Sequence, residues 1–244
     1  MRFGRHGQRS GALSVIRAVV RAAVRAAAVR VGVGVGAGVA LLAASPRAAR
    51  AETPAAASSL SPTDARWNAL LAGEIVKEPH RIDAGSRRFV GGVSYALVGV
   101  GLSDVSALVD DVKSYTSFLP LTKKARLVGE NDGDRFVELT SGNSLVSLQY
   151  TLRFRRTAPG MLRFWLDPSR PHDVPDAWGY LRWQAVSTPG GPRLLMTYGV
   201  LAELPDDLTR DLFGDRVQGA LLAVLPRVAD ALQDHRLARG ASRR

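Results

Sequence analysis

The chain has 244 residues, a formal charge of +11 and no cysteine, which excludes disulfides, thiolate catalysis and thiolate metal sites together. The charge is uneven: residues 1–51 hold nine arginines and no acidic side chain, and the rest of the chain carries 24 basic against 22 acidic residues. Binding that neutralises phosphates needs a clustered basic face, so no nucleic-acid partner is expected of this near-neutral remainder.

Residues 1–51 read as an export signal: an arginine-bearing start, an uncharged run from Val31 to Ser45, and a small-x-small site formed by Ala49 and Ala51. Cleavage there would leave Glu52 at the new N-terminus and place the protein in the periplasm, at the cell surface or in the medium. The run is about 15 residues, short of the roughly 20 that span a bilayer, so an uncleaved anchor is the alternative. Arg17, Arg21 and Arg25 share one helical face in an acid-free stretch, which keeps a transit peptide open as well. The 193 residues that follow suffice for one domain with a substantial core.

Residues 52–86 read as a flexible lead and a short helix. Ser61 and Pro62 supply a cap and a first-turn proline, and Trp67, Leu70 and Leu71 an apolar stripe that stops at Gly73. Glu74 to Lys77 form at most a small strand. In Val93 to Val98 apolar Val93, Tyr95 and Leu97 alternate with Ser94, Ala96 and Val98 as in a strand. Ser103 then caps a helix carrying Val105, Leu108, Val109 and Val112, and Pro120 closes the turn after Tyr115, Phe118 and Leu119.

From Lys123 to about Leu204 strands follow one another, separated by NDGD, SGN, APG and TPGG turns. The clearest strand sets Val146, Leu148, Tyr150, Leu152 and Phe154 against Ser147, Gln149, Thr151, Arg153 and Arg155, one buried and one wet face of an antiparallel sheet. Leu162, Phe164 and Leu166, Leu181 with Trp183, and Met196 with Tyr198 repeat that pattern. The chain ends in a helical stripe of Leu208, Leu212, Val217, Leu221, Val224, Val228 and Leu232, which Pro226 should kink rather than end. Residues 238–244 are a basic tail. This is a two-layer α+β layout.

The order of these elements over residues 87–237 resembles the helix-grip domains of the START and polyketide cyclase superfamily, in particular the coenzyme Q-binding-like branch. The segment DVKSYTSFLP from Asp111 to Pro120, DAWGYLRW from Asp176 to Trp183 and LLMTYGV from Leu194 to Val200 are similar to motifs of that branch. The resemblance implies a curved antiparallel sheet of about seven strands around a long C-terminal helix, with two short helices after the first strand and an elongated cavity between sheet and helix. It further implies a hydrophobic guest: a lipid, an isoprenoid or quinone, or a polyketide-like molecule. Phe118, Tyr150, Phe154, Phe164, Trp165, Trp178, Trp183, Tyr198, Leu212, Leu221, Val224 and Val228 are the expected lining, around a cavity of several hundred Å³ as such sites usually have.

Catalytic and metal-binding signals are weak. His172 lies near Asp167, Asp173 and Asp176, but Pro168, Pro171 and Pro175 mark an exposed connection in which these are ordinary turn residues. No catalytic residue, metal site or cofactor is therefore assigned. Three functions remain: an exported binding protein for a hydrophobic small molecule; a cyclase-, dehydratase- or hydrolase-type enzyme using the same cavity, with Tyr150, Tyr198, Arg182 and Gln184 as its available polar groups; and a protein-interaction module. A monomer and transient membrane contact accompany the first of these.

Overall fold

A computed structural model describes residues 65–142, 147–205 and 210–241, and in the last stretch the side chains of residues 214–234. The elements are α1 (Ala65–Leu71), β1 (Val76–Ala84), β2 (Arg87–Val98), α2 (Leu102–Asp110), a 3₁₀ turn (Val112–Ser114), α3 (Tyr115–Phe118), β3 (Thr122–Asn131), β4 (Asp134–Gly142), β5 (Ser147–Ala158), β6 (Met161–Leu166), β7 (Ala177–Thr188), β8 (Gly191–Leu204), α4 (Arg210–Leu222) and α5 (Val224–Ala241). The strands form one antiparallel sheet in the order β1-β2-β8-β7-β6-β5-β4-β3. This is the α+β helix-grip arrangement. The proposed cap at Ser61 and Pro62, the leader with Ala49 and Ala51, and Val146 lie outside the described residues.

The sheet has eight strands where about seven were expected, and the two short helices follow the second strand. The added strand is β1, nine residues long and pairing with β2 from Val76 opposite Tyr95 to Ala84 opposite Arg87. It lies inside the 52–86 segment that the sequence reading set before the domain. The small strand read at Glu74 to Lys77 overlaps its start, but from Pro79 to Ala84 the edge strand is exposed on both faces and carries no apolar alternation, which concealed its length.

In β2, Gly91 and Gly92 take φ angles of 155° and 144°, where side chains are rare. A Cβ on Gly91 would stand 2.0 Å from the carbonyl oxygen of Val200, and one on Gly92 2.1 Å from that of Glu78. The helix α4 packs at this point. The buried Gln218 amide of α4 donates to the carbonyl oxygens of His80 and Gly91, both at 2.9 Å.

Pro226 acts on the last helix as its chemistry requires. It cannot donate to Leu222, so the helix breaks at Ala223, where the amide bonds instead to Ala220 O at 3.1 Å, and resumes at Val224. The helix α2 starts at Leu102, one residue before the expected cap Ser103. The Gly101 amide donates to the Asp104 carboxylate at 3.0 Å and closes that first turn.

Each face of the sheet is covered by something different. The inner face presents Ala96, Val98, Val137, Leu139, Leu152, Phe154, Leu162, Phe164, Leu181, Trp183, Met196, Tyr198 and Val200 to α2, α3 and α5. On the outer face α1 lays Trp67 and Leu70 over Tyr95 and Leu195, with Val93 and Leu97 at the rim of this smaller core. Both faces of β2 are therefore buried, and its most apolar-looking alternation, Val93, Tyr95 and Leu97, belongs to the outer one.

Candidate functional site

The inner face, α3 and the start of α5 enclose a cavity of about 60 Å³. The sheet contributes Leu152, Phe154, Leu162, Phe164, Leu181 and Tyr198, the short helices Val109, Tyr115, Phe118 and Leu119, and the last helix Val224, Leu225 and Val228. The space is much smaller than the several hundred Å³ expected. Packing is the reason: an aromatic row fills the hollow, from Phe118 to Tyr115 (5.2 Å between ring centres), Tyr115 to Phe154 (5.6 Å), Phe154 to Phe164 (5.8 Å) and Phe164 stacked on Tyr198 (6.0 Å).

Among the described residues the lining holds two polar groups, both phenols. Tyr115 donates to the Val109 carbonyl at 2.8 Å, an acceptor that the end of α2 leaves unpaired, and burial pushes its hydroxyl pKa up to about 12. Tyr198 is 7% exposed, and no hydrogen bond to its hydroxyl is found among the described residues. Burial, with a smaller contribution from Tyr150, raises its pKa well above the usual phenol range. Among the described residues no carboxylate, imidazole or amine lines the space.

Six of the twelve expected contacts meet at this cavity: Phe118, Phe154, Phe164, Tyr198, Val224 and Val228. Trp183 is buried on the inner face beyond it, its ring under the Arg156 guanidinium at 5.4 Å, while Arg156 reaches Asp110 of α2 at 2.8 Å. Tyr150 packs against the same core, and a hydroxyl chain runs from it to Ser141 (3.2 Å) and on to Thr122 (3.1 Å). Leu221 packs at the core's edge, and the side chain of Leu212 lies outside the described residues.

Trp165 and Trp178 do not face the cavity. They pair with each other across β6 and β7, next to Phe164 opposite Gly179, and successive strand residues point to opposite sides. Phe164 points inward, so the two tryptophans lie on the outer face, where Phe89 meets Trp178 edge-on at 4.8 Å and Arg153 covers Trp165 at 5.2 Å. The same alternation turns Arg182 and Gln184 outward, on either side of the inward Trp183.

The cavity residues not foreseen are mostly leucines. Leu152, Leu162 and Leu181 had the correct parity in their strands, and Tyr115 stood in the expected turn. What singled them out, proximity to the first turn of α5, is not a local property.

The His172 connection is a loop held by its own backbone. Asp167 accepts from the Ser169 amide (3.0 Å) and hydroxyl (2.6 Å), the Asp173 carboxylate accepts from the Gln149 amide (2.7 Å), and His172 Nδ1 lies 2.8 Å from Val174 O. Burial acts to raise the Asp167 pKa, but those hydrogen bonds and Arg170 hold it below the ordinary value. Among the described residues no group of three or more acidic or histidine side chains is placed to hold a metal, and no helix is long and apolar enough to cross a membrane.

No family model and no curated protein matches the chain. Among solved structures it is similar to a fragment of a STAR-related lipid transfer protein from Xanthomonas axonopodis, with 15% identity over 64% of this chain and 98% of that one, at a TM-score of 0.46. It is also similar to the Zhui aromatase/cyclase from Streptomyces sp. R1128, with 16% identity over 66% of this chain and 94% of that one, at a TM-score of 0.44. A third is the di-domain aromatase/cyclase of the BE-7585A biosynthetic pathway, with 11% identity over 60% of this chain and 50% of that one, at a TM-score of 0.46.

Proposed function

We propose that the chain is an exported protein that binds an uncharged, hydrophobic small molecule between its sheet and its C-terminal helix. One observation carries this reading. The space between inner face, α3 and α5 is bounded by aliphatic and aromatic side chains and two protonated phenols, a surface that offers a guest apolar contact and almost no polar partner. A reaction that moves protons needs an acid or base whose pKa lies near the working pH. Both phenols sit far above it, which favours holding a guest over transforming one.

At about 60 Å³ the cavity is too small for a molecule of lipid size, so binding requires α3 and the first turn of α5 to move outward. Native mass spectrometry of the protein purified from its own host tests the reading. The expected result is an adduct that dissociates as a neutral, chloroform-soluble compound; adduct-free protein that also fails to take up N-phenyl-1-naphthylamine would rule the reading out. Export rests on the sequence of residues 1–51, and sequencing the N-terminus of the mature protein is expected to begin at Glu52.

A further inference from the structure

Among the described residues, Tyr198 has the one uncommitted polar group in the cavity wall. The other lining phenol, Tyr115, is already bonded to Val109 O, and every remaining lining side chain is hydrocarbon. On the inner face Tyr198 stands opposite Ser94 in the β2–β8 register, and the fully buried Ser94 Oγ also lacks a partner. Natural proteins rarely leave hydroxyls unpaired away from water; unlike Ser94 Oγ, the Tyr198 hydroxyl is not shut in by protein, and an occupant of the cavity can complete its bond. Ser94 is enclosed by protein, whereas Tyr198 borders the space.

We infer that Tyr198 is the polar reading point of the site and that its hydroxyl donates a hydrogen bond to a carbonyl oxygen of a neutral, otherwise apolar guest. A phenol is a better donor than acceptor because its lone pair is delocalised into the ring, which selects a ketone, quinone or ester oxygen over an N–H or O–H group. A carboxylate or phosphate is disfavoured. Among the described residues no cation lines the cavity, and the nearby Arg135 and Arg156 are both engaged by Asp110. The stacked Phe164 ring holds the phenol in place, so the donor is positioned before a guest arrives. This inference rests on the binding reading above and narrows it to a chemical class.

Acetophenone and ethylbenzene share a shape and differ by the carbonyl, and benzoate adds a charge. The three are titrated by ligand-observed NMR into the full chain and into its Tyr198→Phe variant. The expected result is acetophenone binding weakened about three- to tenfold by Tyr198→Phe, the share of one ordinary hydrogen bond, with ethylbenzene binding unchanged and benzoate binding weakest. The carbonyl ¹³C resonance of bound acetophenone should lie downfield of its position in cyclohexane in the wild type and close to that position in the variant; in the wild type alone this comparison tests the bond even if the variant folds poorly. Equal affinities of both proteins for acetophenone, or benzoate binding as tightly as acetophenone, would overturn the role of Tyr198 and leave the binding reading intact. Failure of the wild type to bind either neutral probe would overturn the binding reading itself, and this inference with it.

Discussion

Asp134 shows how single residues stabilise the outer face of the sheet. Its carboxylate is 1% exposed, accepts from Arg155 Nη2 at 2.7 Å and contacts the Arg153 guanidinium, which also lies over Phe136 and Trp165. Burial alone would raise its pKa; the hydrogen bonds and charges of Arg155 and Arg153 outweigh that and hold it below the ordinary carboxylate value. A carboxyl whose pKa is depressed on folding contributes stability above its unfolded pKa, about 3.9, and loses it as pH falls through the folded value. Asp134→Asn should therefore lower the Tm by several degrees at pH 7, with the difference from wild type shrinking below about pH 4. Thermal unfolding followed by circular dichroism from pH 7 to pH 2 checks this, and a difference that stays constant with pH would show that the ion pairs contribute nothing.

At the scale of elements, two glycines of β2 hold the sheet's edge against the helix. Gly91 and Gly92 take a backbone that side chains rarely adopt while β2 keeps its pairing with β8 from Arg88 opposite Leu204 to Val98 opposite Leu194. Gln218 on α4 donates to the carbonyl oxygens of His80 on β1 and Gly91 on β2, so helix and strand pair are tied at this point. Gly91→Ala puts a methyl group where only the backbone of Val200 fits, and the loss expected is more than about 3 kcal/mol, measured by urea unfolding of the full chain. A variant within about 1 kcal/mol of wild type would mean that the backbone here yields to a side chain.

Across the whole molecule, the decisive quantity is the space that the grip leaves unfilled. The aromatic row from α3 to β8 occupies most of the hollow, and Phe118 of α3 is the ring farthest from the sheet's central strands. Phe118→Ala removes it, at a cost of about 3–5 kcal/mol in stability. The same change should tighten binding of N-phenyl-1-naphthylamine, read from its fluorescence, because the guest no longer has to displace the ring. Unchanged affinity would indicate that the probe sits outside the space between α3 and α5.

The amino-acid sequence by itself determined the α+β layering, the kink at Pro226 and the inward set Phe154, Phe164, Trp183 and Tyr198, because each rests on a local period or on the chemistry of one residue. Of β1 it placed only a small strand at Glu74 to Lys77, because from Pro79 onward β1 is exposed and carries no apolar alternation, and it did not reveal the outward direction of Trp165 and Trp178. Which side of a strand faces the core depends on what remote segment covers it: here α5 lies on one face and α1 on the other. The size of the cavity belonged to the tertiary structure alone, since it is a small difference between the volume enclosed by the sheet and helices and the volume of the side chains inside. The unpaired state of Tyr198 was equally hidden, because a hydrogen bond that is missing can be recognised only once every neighbour is in place.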